Sequence, residues 1–492
     1  MALWRGISDG YLWNSPTLLK WGIAVTLLSL ACASCENRHG ADTTTPGGSG
    51  APGGSGAQGG SGAQGGSGAQ GGSGAQGGSG AQGGSGAQGG AGGKRPGCQS
   101  SGLAAQPFGN HERAYTAGSI LPSHVPQGDL DRAVLDFHAA WKTNYLREGC
   151  GDGRRYVDVH SDGLTFSEAI GYGMLISAYM AGADPAAQTD FDGLFRYFKD
   201  HPSAGDARLM AWKQDQSCAD VDGPSSATDG DLDIAYALLL ADEQWGSSGG
   251  IDYRAEALTV IAGIQTAELR DGAFLTLGDW VDGGEYGNAT RSSDVMPGHF
   301  QSFAATDGNE SFSRLLDASL GMFASLQSRH AAQSGLLPDF IKSPSDAPFP
   351  AEPYFLEDAA DGAYGYNACR VPWRIGTYWL TSGDTRAKQI LDRQNAFIRE
   401  ATNDDPRSIA AGYDLNGAAL PDSDYSSLAF IAPFGVGAMS DGVNQAWLND
   451  LWDVVIAMGT SGAYYEDTLK LLSLITMSGN WWTPADAPCP ND

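Results

Sequence analysis

Beyond residue 110 the apolar residues return every three or four positions, and this periodicity constrains the fold more than any other feature of the chain. Ala257, Val260, Ile261 and Ile264 fall on one helix face, as do Leu232, Ala235, Tyr236 and Leu239, and Tyr465, Leu469 and Leu472 continue the pattern near the C-terminus. The spacing predicts helices near 129–146, 168–181, 188–199, 230–244, 252–267, 311–328, 373–381, 385–401, 443–458 and 463–477, separated by Gly/Asp/Pro/Ser segments. Many helices with few alternating strands mean an all-α domain. Periodicity alone leaves a solenoid, a bundle and a closed α/α barrel open.

The chain before this region has a different physics. Six tandem GGSGAQ copies fill 53–88, and 25 of the 70 glycines lie in residues 47–93. A repeat whose largest apolar side chain is alanine cannot build a core, so 34–97 is expected to be a flexible linker. Upstream, Lys20 precedes the apolar stretch 21–31, which has the length of a signal-peptide core and is too short to span a bilayer. Residues 1–33 are therefore expected to be a signal peptide, with Ala31, Cys32 and Ala33 forming a small-residue cleavage site. Cys32 and Cys35 raise lipid attachment as a second reading, so the protein is expected to be secreted or at the cell surface. The folded part is then 98–492, enough for one large domain.

Charge and cysteines narrow the function classes. With 29 Lys+Arg against 57 Asp+Glu, the net charge of −28 repels nucleic acid and anionic membranes. No nucleic-acid partner is expected. Past the linker, Cys98, Cys150, Cys218, Cys369 and Cys489 contain no C-x-x-C pair, so export predicts one or two disulfides and a free thiol. The eight histidines form no H-E-x-x-H or H-x-H cluster, and neither a metal nor a cofactor is suggested.

Two segments carry residue patterns that plain helix formation does not explain. In 167–174 (SEAIGYGM) two glycines flank Tyr172 at a helix start, where each costs about 1 kcal/mol relative to alanine, so close packing or ligand approach is implied. Glu168 heads that turn. In 227–238 Asp229, Asp231 and Asp233 alternate before an amphipathic helix; acidic capping accounts for one of them and poorly for three. A calcium loop is a third reading, but the glycine and glutamate positions of an EF-hand are absent.

These segments, together with 366–380 (YNACRVPWRIGTYWL), resemble glycoside hydrolase family 8, the bacterial endoglucanases, lichenases, chitosanases and some xylanases. The stretch from Ala227 to Trp245 agrees along its length, and 210–213 and Arg291 to Asp294 also look like family segments. The resemblance implies an (α/α)6 barrel with a cleft across the inner-helix ends, and hydrolysis with inversion at the anomeric carbon. Glu168 matches the general acid, and Asp229 the carboxylate that binds and distorts the sugar. Where many members carry an aspartate base this chain has Asn367, between Tyr366 and Arg370, and an amide cannot take a proton from water. A subgroup with Asn at this place is thought to supply its base from an upstream insertion. Here that segment is 338–364, with Glu352, Glu357, Asp358 and Asp361; Glu357, after the run Pro353 to Leu356, is the expected base.

Pyranose faces stack on aromatic rings, which makes Trp212, Tyr236, Tyr366 and Trp373 candidate substrate-binding residues beside Asn367 and Arg370. The expectation is a monomeric endo-acting hydrolase of a β-1,4-linked polysaccharide, cellulose or mixed-linkage β-glucan, with chitosan as runner-up. A carbohydrate-binding protein that lost its base at Asn367 is the alternative from a different class.

Overall fold

The computed structural model describes residues 104–161 and 163–484. The expected signal peptide, the linker, Cys98 and Cys489 lie outside the described residues. Within them are twelve α-helices: α1 Gln127–Tyr145, α2 Ser167–Tyr179, α3 Ala187–Asp200, α4 Thr228–Trp245, α5 Tyr253–Gly263, α6 Pro297–Asp307, α7 Glu310–Arg329, α8 Val371–Ser382, α9 Thr385–Thr402, α10 Leu428–Ala438, α11 Gln445–Ala457 and α12 Tyr464–Met477. They form five consecutive hairpins from α2 to α11 and a sixth pair made by α1 and α12 from the two ends of the domain. The even-numbered helices form an inner ring, each touching the next, and α12 closes onto α2. Each odd-numbered helix packs outside its hairpin partner, which gives the (α/α)6 barrel.

Burial separates the two rings. In α2 and α10 every residue is buried, in α12 all but Glu466, and in α4 all but two, because these helices face both the barrel interior and the outer ring. The outer helices bury one face only, as in α9, where Ala387, Ile390, Leu391, Gln394, Asn395 and Ile398 turn inward. The sequence pattern found all six outer helices and four of the inner ones but not α6 or α10. Helix α10 (LAFIAPFGVGA) is apolar all round and contains Pro433, so it has no polar face from which to read a period. Helix α6 starts Pro297-Gly298, which resembles a turn in isolation but suits a helix N-terminus, where proline is tolerated.

A buried ion network ties the inner ring together. Asp233 of α4 accepts from both terminal nitrogens of Arg374 on α8, at 2.8 and 2.5 Å, and meets His299 Nε2 of α6 at 2.9 Å. Burial pushes His299 down to about 4, so its imidazole is neutral and the pair Asp233–Arg374 carries the charge. The bridge Cys150–Cys218 closes a 68-residue separation, and Cys369 is a buried free thiol.

Close approach of α2 and α4 explains the glycines of both segments. A Cβ on Gly171 would lie 2.7 Å from Asp233 Cβ, and one on Gly230 would run into Ser167 Oγ and lie 2.7 Å from the Ser167 carbonyl carbon. Two opposed effects then set the outcome of Gly230→Ala: helix propensity favours it by about 1 kcal/mol, while overpacking costs about 1–3 kcal/mol. Because the obstruction includes backbone, overpacking prevails. Urea unfolding of Gly230→Ala is expected to show a net loss of stability, and a gain would mean the two helices have room to part.

Candidate active site

Side chains from the N-terminal ends of α2 and α4 meet those from the turns that lead into α6 and α8, so the positive ends of four helix dipoles favour anionic side chains there. Glu168 comes from the first turn of α2 and Asp229 from the first turn of α4. Ser292–Asp294 forms the turn leading to α6, and Ala368–Arg370 the turn leading into α8. All of these side chains are buried, and the largest positive group among them is the Arg370 guanidinium, 1 % exposed.

Arg370 holds the cluster. Its Nη1 donates to Glu168 Oε2 at 2.7 Å and to Asp229 Oδ2 at 2.9 Å, with Tyr172 Oη at 3.3 Å. Its Nη2 donates to Ser293 Oγ and Asn367 Oδ1, each at 2.8 Å. Asn367, its amide oriented by that contact, donates from Nδ2 to Glu357 Oε2 at 2.8 Å. A second cation, Arg291, bridges the far side: its Nη1 lies 3.4 Å from Asp229 Oδ2 and its Nη2 3.5 Å from Glu357 Oε1. Glu168, Asp229 and Glu357 are thus joined through two arginines and one amide.

The two inner carboxyls are driven to opposite protonation states. Burial pushes Glu168 up to about 8, more than the Arg370 charge pulls it down. Asp229 is equally buried, but Arg291 and Arg370 together outweigh desolvation and hold it below the usual carboxylate range. A protonated and an ionised carboxyl therefore share one guanidinium, and of the two only Glu168 has a proton to give. Burial also pushes Asp294 up to about 7, although Arg291 pulls it down.

The expected residues divide as follows. Among the loop carboxylates, Glu357 enters the cluster, Glu352 is exposed and paired with Lys342 at 2.9 Å, and Asp358 accepts from Ala360 N within its own turn. Trp212 is half-buried; its ring stacks on Phe166 and its carbonyl accepts from Ser167 N, so it sits beside Glu168. Tyr366 is half-buried, with its hydroxyl 2.8 Å from that of Tyr425. Tyr236 and Trp373 are corrected to core residues, each 1 % exposed. Tyr236 stacks on His299 with ring centres 3.8 Å apart, and Trp373 lies against Trp481, Tyr172 and Arg374, so neither ring is free for a sugar.

The three aspartates of α4 each have their own task. Asp229 joins the cluster, Asp231 accepts from Met210 N at 2.9 Å, and Asp233 binds Arg374. Sequence reasoning missed the part played by Arg291, Ser293 and Tyr172. The signal available was charge: several carboxylates brought to one buried place need more than one cation.

Residues 136–479 match the family described as Glycosyl hydrolases family 8. The chain belongs to that family. It is 46 % identical over 379 residues to "Beta-glucanase" of Niallia circulans, covering 77 % of this chain and 91 % of that one. It is 36 % identical over 385 residues to "Endoglucanase" of Bacillus sp. (strain KSM-330), covering 75 % and 80 %. A solved beta-1,3-1,4-glucanase from Paenibacillus sp. X4 superposes with a TM-score of 0.75 at 45 % identity, covering 77 % of this chain and all of that one. The family 8 glycosidase fold is thus continuous with proteins that share nearly half its residues.

The cluster's dependence on a fork-shaped cation is testable. Arg370→Lys keeps the charge, but one ammonium cannot reach Glu168, Asp229, Ser293 and Asn367 together. Breaking a buried, hydrogen-bonded charge network costs about 3–5 kcal/mol of stability, and misplacing Glu168 by about 1 Å costs about 10²-fold in rate, so turnover is expected to fall by about 10²-fold or more. Turnover within threefold of the native enzyme would contradict this account of the site.

Proposed function

We propose that this protein is an endo-acting hydrolase of mixed-linkage β-glucan or cellulose that cleaves β-1,4 bonds with inversion. The observation that carries the reading is the cluster in which Arg370 holds a protonated Glu168 and an ionised Asp229 while Asn367 presents Glu357. Similarity to proteins named beta-glucanase and endoglucanase supports the substrate class. Glu168 donates its proton to the glycosidic oxygen as the C1–O bond breaks. Asp229 holds the sugar in a distorted shape, and strain of about 1–5 kcal/mol is what such contacts sustain. Glu357 accepts a proton from the water whose oxygen bonds to C1 on the opposite face, leaving Glu168 ionised and Glu357 protonated. Exchange with solvent restores both.

The half-buried aromatics Trp212 and Tyr366, with Asn367 and Arg370, are the residues proposed to contact substrate. Polymeric β-glucan is too large to be taken up whole, which agrees with the apolar stretch 21–31 acting as an export signal, with or without a lipid tether.

Reducing-sugar release from lichenan, carboxymethyl cellulose and chitosan checks the substrate. Cleavage of the first two is expected; activity on chitosan alone would assign the enzyme to the runner-up, and no release from any would leave a binding protein. Glu168→Gln is expected to lose about 10²–10⁴-fold in kcat because the amide has no proton to give. The sign of the pH dependence follows from the acid: it works while protonated, so kcat/KM is expected to fall as pH rises through about 8. An alkaline limb near 5 would show that Glu168 is not the acid.

A further inference from the structure

Glu357 comes from a loop, and a loop carboxylate is useful as a base only if something fixes the backbone beneath it. In this structure that something is another carboxylate. Asp361, 1 % exposed, accepts from three consecutive backbone N–H groups: Leu356 N at 2.7 Å and Glu357 N at 2.9 Å on Oδ2, and Asp358 N at 2.8 Å on Oδ1. Its own carbonyl accepts from Phe340 N at 2.8 Å, which anchors the turn to the strand Phe340–Lys342. That strand pairs with Ala289–Arg291, with Phe340 opposite Arg291. The cation that meets Glu357 Oε1 and the turn that carries Glu357 therefore hang on one small sheet.

The loop needs this support. Tyr354 lies at φ 62, in the left-handed region that costs a non-glycine residue about 1–3 kcal/mol, and its N–H is tied to Asp358 O at 2.7 Å. A second carboxylate, Asp339, does the same for the opposing turn: its Oδ1 accepts from Gly365 N at 2.9 Å and Ala368 N at 2.7 Å, on either side of Asn367. The Asn367–Glu357 contact is thus made by two turns, each held by a buried aspartate.

We propose that Asp361 is the positioning residue of the reaction: by gathering the N–H groups of Leu356, Glu357 and Asp358 it sets the Glu357 carboxylate where the attacking water must lose its proton. The proposal rests on Glu357 being the base. Misplacing a reacting group by about 1 Å costs about 10²-fold. Asp361→Ala is therefore expected to lower kcat on lichenan by about 10²-fold with KM within threefold. Asp361→Asn, which keeps the size and one acceptor oxygen, is expected to recover part of the loss.

Azide separates positioning from folding. It carries no proton to be removed, so its nitrogen bonds to C1 without a base while Glu168 still protonates the leaving oxygen. Added azide is expected to raise the rates of Glu357→Gln and Asp361→Ala severalfold, with a glycosyl azide product, and to leave the native enzyme and Glu168→Gln unchanged. If Glu357→Gln keeps full activity, the base assignment falls. If Glu357→Gln is inactive and rescued by azide while Asp361→Ala turns over normally, the positioning role alone falls. Activity lost in Asp361→Ala and Asp361→Asn alike without azide rescue, or failure of both to fold, would make Asp361 a residue of the fold and overturn the proposal.

Discussion

One buried guanidinium organises this protein. Arg370 lies within hydrogen-bond reach of two carboxyls, an amide and two hydroxyls contributed by residues from 168 to 367. Removing such an ion from water costs several kcal/mol, which is repaid only when its partners are close and well aimed. The barrel provides that aim by bringing helix N-termini together, and glycines at 171 and 230 let α2 and α4 approach until Glu168 and Asp229 share one nitrogen. Any change that parts these helices also parts Glu168 from Asp229.

The same ion explains how two carboxyls in one buried place come to differ. Desolvation acts on both, but Asp229 faces Arg291 as well as Arg370 and stays charged, whereas Glu168 is pushed up to about 8. Residue type alone does not set the protonation state: burial pushes Asp294, another aspartate of the cluster, up to about 7 although Arg291 and Arg370 pull it down. Glu357 stands apart from this pair, approached by Arg291 at one oxygen and by Asn367 at the other. An amide at 367 can donate to Glu357 and accept from Arg370 at once, a link that a carboxylate there could not make.

Much of the fold was legible because outer helices must have one apolar face. Inner helices need no such period: α10 is buried on all sides and carries Pro433, so its pattern is hidden by the burial that makes it stable. The site was legible as segments, and Glu168, Asp229, Arg370, Asn367 and Glu357 come together. What could not be read was pairing across distance, such as Arg370 with Glu168, 202 residues apart. Tyr236 and Trp373 show the limit for aromatics, since a ring on an inner helix beside a motif looks the same in sequence whether it faces a sugar or Trp481 and His299. Asp361 looked like an ordinary loop carboxylate, and only its three backbone donors distinguish it.

The central claim is that Glu357 activates water instead of attacking the sugar itself. Proton NMR of the first anomer released from a β-1,4-linked glucan tests it directly, because a base that activates water gives one displacement and a nucleophile gives two. The account predicts that the α-anomer appears first and then mutarotates toward the equilibrium mixture. Initial release of the β-anomer would contradict it.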